Sequence, residues 1–125
     1  MRHIKFLQLT VLIFLTGCFD LVTPTKKIPG PYYLSKSETG IYWTLYYDLN
    51  GAGHGRIDTV DKIGWTDNYI FAENDSNYYF LDKTKDEGGL NANEIVIGPF
   101  RQDKFISMLD SLKIKGFIFQ IRFDK

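Results

Sequence analysis

The chain has 125 residues, a formal net charge of zero, 24% charged residues and 16% aromatic ones. That length holds one domain and not two. A supply of Tyr, Phe and Ile this rich argues against a disordered chain, and the balanced charge is no footprint for nucleic acid.

Arg2, His3 and Lys5 form a short basic segment, and residues 6–15 are then almost wholly apolar, interrupted only by Gln8 and Thr10. A helix needs ~20 apolar residues to span a hydrocarbon core. The run is therefore too short for a transmembrane anchor and suits the core of a signal peptide, its basic flank left on the cytoplasmic side. Leu15-Thr16-Gly17-Cys18 closes it. This run resembles the lipobox of bacterial lipoproteins, which implies cleavage between Gly17 and Cys18 and lipidation of the Cys18 thiol. Cys18 is the only cysteine, and in an exported chain it would otherwise be a thiol without a partner. Two or more palmitate-type acyl chains, at ~0.8 kcal/mol per buried CH₂, hold a protein stably on a membrane. Arg2 and Lys5 leave with the signal, so about 13 basic residues face 15 acidic ones in the mature chain, and no polybasic patch stands out. The expected layout is a signal peptide over 1–17, a lipid-anchored Pro-rich tether over 18–31 and a single domain over 32–125.

The tether reading rests on Pro24, Pro29, Gly30 and Pro31, because prolines leave few donors for a strand ladder. From Tyr32 the pattern turns to β. Ile41, Trp43, Leu45, Tyr47 and Leu49 alternate with Tyr42, Thr44, Tyr46 and Asp48, the mark of a half-buried strand. Residues 50–55, with three glycines, read as a loop. A strand is expected over 57–65, with a bulge or irregular edge where its alternation slips at Thr59-Val60. Thr66-Asp67-Asn68 is a turn, 69–73 a strand, Asn74-Asp75-Ser76 a turn and 77–82 a strand, together an antiparallel meander.

Residues 83–93 form the longest polar loop, expected to be the most mobile part. Ile95-Val96-Ile97 reads as a short buried strand ended by Gly98-Pro99. Phe105, Met108, Leu109 and Leu112 fall at i, i+3, i+4 and i+7, the stripe of a helix packed on a sheet. Asp103 suits its start and Lys113 and Lys115 its end, with Gly116 placed to stop it. The final strand carries Phe117, Phe119, Ile121 and Phe123 inward. The expected fold is α+β: a twisted antiparallel sheet of about six to seven strands, one C-terminal helix packed on a face, and a last strand after it.

Candidate sites are few. Asp48-Leu49-Asn50-Gly51-Ala52-Gly53, with Asp58 and Asp61 beyond, invites a calcium loop, but Ala52 stands where an oxygen ligand is needed, Thr59 where a bidentate Glu is needed, and the flanks read as strands. The run reads better as a hairpin loop. His54 has a side chain suited to acid–base work, but no residue in the sequence stands out as its orienting partner or nucleophile. Ligands for a zinc site are missing too, with Cys18 committed to lipid. Tyr42 and Tyr46 share one predicted strand face and, with His54, make the candidate binding surface for a sugar ring or a protein partner.

Trp65-Thr66-Asp67-Asn68-Tyr69-Ile70-Phe71-Ala72, then Tyr78-Tyr79-Phe80-Leu81-Asp82, then Gly98-Pro99-Phe100 followed by Phe105, resembles a family of small uncharacterised bacterial lipoproteins. The resemblance covers about half the mature chain and implies a lipid anchor and a fold, with no activity attached. It departs at the helix start, where Arg101 and Lys104 replace the residues of a capping box. The expectation for function is a non-enzymatic binding or interaction module. It would sit on the exported side of a bacterial cell membrane or outer membrane, with an envelope protein or glycan as partner. No cofactor is expected beyond the lipid on Cys18. A carbohydrate-binding module using the tyrosines and an inhibitor or immunity-type protein are the alternatives.

Overall fold

The computed structural model describes residues 24–37 and 39–123; the signal peptide, Gly17 and Cys18 lie outside the described residues. Within them the fold is α+β, with two antiparallel sheets in place of one. The first sheet runs in the order β1 (Thr25–Ile28), β2 (Tyr32–Lys36), β3 (Trp43–Leu49), β4 (Ala52–Ile57). The second has the order β8 (Ile97–Phe100), β7 (Asn77–Asp82), β6 (Tyr69–Asn74), β5 (Lys62–Trp65), β9 (Ile121–Arg122). The helices are a single turn, α1 (Ala92–Ile95), and the longer α2 (Gln102–Ser111).

The domain starts before the expected tether ends. Thr25–Ile28 pairs with β2, Ile28 opposite Tyr32, and Ile28 is fully buried. The proline argument fails here for a local reason: Pro24 precedes the ladder, and Pro29 and Pro31 sit in the turn around Gly30. None has to donate, and the carbonyls of Pro24 and Pro31 accept from Lys36 and Asp48 N–H at 3.1 and 2.6 Å.

The expected glycine loop is also a strand. Asn50 and Gly51 alone turn the chain, at φ 53° and 88°, a two-residue turn with both residues left-handed, whose twist matches that of the flanking strands. Asp48 Oδ1 braces it by accepting the Gly51 N–H at 2.9 Å. Ala52–Ile57 then pairs back on β3. Gly53 has a packing reason: a Cβ there would collide with the Tyr33 hydroxyl and crowd the Tyr46 ring. The slip expected near Val60 is where the chain leaves the first sheet and enters the second at Lys62.

The second sheet is the middle layer. Ile63, Ile70, Ala72 and Leu81 pack against Ile28, Tyr32, Leu34 and Leu45 of the first sheet. From its other face Phe71 and Tyr78 meet Phe105 of α2, with Phe117 and Phe119 beside them. The predicted helical stripe therefore does pack on a sheet. Phe117 and Phe119 point inward as expected, but only Ile121–Arg122 is regular strand. Ahead of it the Gln120 amide stands in for backbone, accepting from the Trp65 N–H and donating to the Trp65 carbonyl, both at 2.9 Å. The expected strand at residues 95–97 is split: Ile95 closes α1, and Ile97 opens β8 at the edge, 48% exposed.

Gly116 does not stop α2. The helix ends at Ser111, and Lys113 takes the left-handed position at φ 59°. Ile114 N–H reaches the Leu109 carbonyl at 2.9 Å and Lys113 N–H the Asp110 carbonyl at 3.0 Å, the paired bonds of a Schellman end. A side chain is disfavoured at that position, where glycine is not. Lys113→Gly is expected to stabilise the protein by about 1 kcal/mol, read as a rise in the urea midpoint with an unchanged slope.

Candidate functional site

Two clusters concentrate polar chemistry. The first is buried. The register of β3 and β4 shifts between Leu45 and Tyr46, leaving Arg56 as an extra residue between Gly55 and Ile57. Strict alternation would put Arg56 and Ile57 on opposite faces; here both are buried, as a bulge allows. Asp86 meets the guanidinium from the 83–91 segment. Arg56 Nε and Nη2 donate to its two carboxylate oxygens at 3.0 and 2.9 Å, Nη2 also to the Glu87 carbonyl at 3.1 Å, and Nη1 to the Gly55 carbonyl at 3.1 Å. The Tyr32 hydroxyl donates to Asp86 Oδ2 at 2.9 Å, and the Tyr47 ring lies 5.4 Å from the Arg56 guanidinium carbon. Both charged side chains are sealed, at 1% and 0% exposure. The network ties the long polar loop onto the first sheet at Asp86 and Glu87.

Burial, then the hydrogen bond to Asp86 and its negative charge, push the Tyr32 hydroxyl well above the ordinary tyrosine value. The folded state thus keeps a proton that the unfolded chain releases near pH ~10. The stabilisation is complete below that pH and declines as pH rises toward the folded value, because the native state binds more protons. The fall in stability above pH ~10 is expected to be shallower in Tyr32→Phe by up to one proton, measured by urea titrations across the alkaline range.

The second cluster is open. A cleft of about 560 Å³ lies where the two sheets meet, within the size range of small-ligand sites. Trp43, at the start of β3, stacks on Phe123 after β9 with ring centroids 4.7 Å apart and planes 9° from parallel. Lys26 and Lys36 place their ammonium groups 5.8 and 6.0 Å from the Trp43 ring, near enough for cation–π attraction. Ile41 and Tyr42 form the rim, 67% and 48% exposed. The opposite wall comes from the crossing between sheets and from the β6–β7 turn, where Asp61 Oδ2 accepts the Asp75 N–H at 2.8 Å and Asn74 Nδ2 donates to the Asp58 carbonyl at 3.2 Å. Val60 N–H bonds to the Trp43 carbonyl at 2.8 Å, and Phe123 N–H to the Asp61 carbonyl at 2.9 Å.

Between those anchors Thr59, a β-branched residue lining the cleft, is held at φ 53°. Such a conformation costs about 1–3 kcal/mol and persists only where its surroundings over-determine it. No protein-family model, curated protein or solved structure matches the chain. The resemblance read from its Trp65-to-Phe105 pattern therefore adds nothing to the geometry.

Of the predicted surface of Tyr42, Tyr46 and His54, His54 is not brought onto one face with Tyr46. Tyr42 lies outside β3 on the cleft rim. Tyr46 is stacked on Tyr33 at 5.3 Å and 17°. His54 lies within β4, half-buried and opposite Tyr47. Neighbours in a strand face opposite ways, so His54 and Tyr46 belong to opposite faces of the first sheet. Among the described residues no group of His, Cys, Asp and Glu is arranged to hold a metal ion. Sequence reasoning missed Lys36, Trp43 and Phe123 as a unit, because Lys36 meets Trp43 only through the β2–β3 register and Phe123 joins them only by the contact of two sheets.

Proposed function

We propose that this chain is a lipid-anchored, non-catalytic binding module of the bacterial cell envelope, tethered through Cys18 on the exported side, with the Trp43–Phe123 cleft as its binding site. The observation that carries the binding reading is the cleft itself: an aromatic wall, an ammonium group, and carboxylate and amide groups around one opening. Those groups can stack on, charge-pair with and hydrogen-bond a ligand. His54, the side chain best suited to proton transfer, stands apart from them. The partner is an envelope protein or glycan. A glycan is favoured among these by the pairing of aromatic rings with Asn74 and Asp75, which suits a ring with both an apolar face and hydroxyl edges.

The test is photocrosslinking in living cells from a benzoylphenylalanine placed at Tyr42, with the same group at Tyr46 as control. A discrete adduct at position 42, reduced about tenfold by Trp43→Ala (~1.4 kcal/mol of binding) and absent from position 46, is the expected result. Equal labelling at both positions, or an adduct indifferent to Trp43, would sink the assignment of the cleft.

A further inference from the structure

The pairing of β1 into the first sheet limits where the domain can sit. The first described residue, Pro24, is already fastened to the fold through Lys36, so Cys18 stands about six residues of chain from a fixed point of the domain. At ~3.6 Å per residue fully extended, that segment spans at most ~22 Å. The end of the domain carrying Pro24 is therefore the end held near the bilayer whenever Cys18 carries the anchor.

That same end carries the cleft rim. Lys36 bonds to Pro24, and the next residue, Ser37, donates its N–H to the Tyr42 carbonyl at 2.7 Å. Tyr42 is thus about two strand spacings, ~10 Å, from the point where the chain arrives. Ile41 and Tyr42 project there, with Lys26 and Lys36 behind them around Trp43. Exposed aliphatic and aromatic side chains backed by lysines are the composition of a membrane interface, where rings sit among headgroups and ammonium groups meet phosphates. Asp61 and Asp75 stand on the far wall of the cleft, so the basic groups are confined to the rim side.

We propose that the tip between β2 and β3, Ile41 and Tyr42 with Lys26 and Lys36, rests on the bilayer that carries the anchor. This inference rests on the Cys18 reading above. It makes the lipid surface a second contact and fixes the cleft to open beside the headgroups. The opposite end of β3, where Leu49 pairs with the exposed Ala52, points away from the membrane by about seven strand residues, ~24 Å.

The acylated full chain is reconstituted in phosphatidylethanolamine–phosphatidylglycerol vesicles, with an environment-sensitive fluorophore on Ile41→Cys or Ala52→Cys. Cys18 is the only native cysteine and is blocked once acylated, so each variant labels at one position. Headgroup-spin-labelled lipid is expected to quench position 41 about threefold more than position 52, with blue-shifted emission, and Lys26→Glu with Lys36→Glu to reduce that difference. Equal quenching on vesicle-bound protein overturns the docking while leaving the anchor intact. Shielding of position 41 in native envelopes but not in pure lipid overturns it in favour of a protein partner. Protein that fails to float with vesicles at all removes the anchor and this inference together.

Discussion

Asp86→Ala is expected to cost about 3–5 kcal/mol of folding stability. The reason lies in what is left behind. Arg56 keeps its charge, and its side chain is 1% exposed, so water cannot replace the lost carboxylate. Two of its four hydrogen bonds end on Asp86, as does the Tyr32 hydroxyl. A buried ion pair is weak evidence for stability when compared with a well-packed apolar replacement, but removing one partner is a different comparison. The two statements separate experimentally. In urea unfolding of the Cys18→Ser chain, Asp86→Ala should lose most of the margin of a small domain, while Arg56→Met with Asp86→Leu should recover the greater part. A loss under ~1 kcal/mol in the single variant would show that solvent reaches Arg56 after all.

The contrast between this pair and the rest of the fold shows what local pattern can reveal. Leu45 was legible as core because strict alternation around it leaves one reading of the strand, and Phe105 because its helical stripe is long enough to be unambiguous. The turn at Asp75-Ser76 was legible from its residue types. Asn50-Gly51 carried an equally good turn signal, but three glycines in six residues read as loop because the tyrosine rings packed at Gly53 come from β2 and β3 and leave no mark in the local pattern. Asp86 sits in a polar stretch with nothing local to distinguish it from Asp82 or Glu87, since its partner is thirty residues away. Arg56 was hidden by the bulge that turns it inward. The cleft was illegible for the same physical reason: Lys36 and Trp43 pair across β2 and β3, but Asp75 and Phe123 come from distant segments that only the meeting of two sheets brings to them. One signal for the second sheet was present and unread. Tyr69-Ile70-Phe71-Ala72 is apolar on both faces of its strand, which a one-faced sheet would not require.

That two-faced strand supports the second large prediction. Phe71→Ala is expected to cost about 3–5 kcal/mol, and the damage should be local in its consequences. Ile70 and Ala72 hold β6 against the first sheet, whereas Phe71 is its buried residue on the α2 side, with Tyr69 partly buried beside it. Phe71 is fully buried, with Phe105 5.7 Å and Phe117 4.9 Å away edge-on and Phe80 at 6.0 Å. The buried part of this second core is small, formed by Phe71, Tyr78 and Phe105. Deleting one ring therefore removes much of what fastens the helix, since Phe105 is the one buried residue of α2. Hydrogen exchange should then show the amides of α2 losing protection first, opening as a unit below the global unfolding free energy, while β2 and β3 remain protected. The paired substitution Leu45→Ala, in the core between the sheets, should instead lower protection throughout. If Phe71→Ala weakened both layers equally, the two cores would be a single cooperative unit, and the helix would not be an element that can detach by itself.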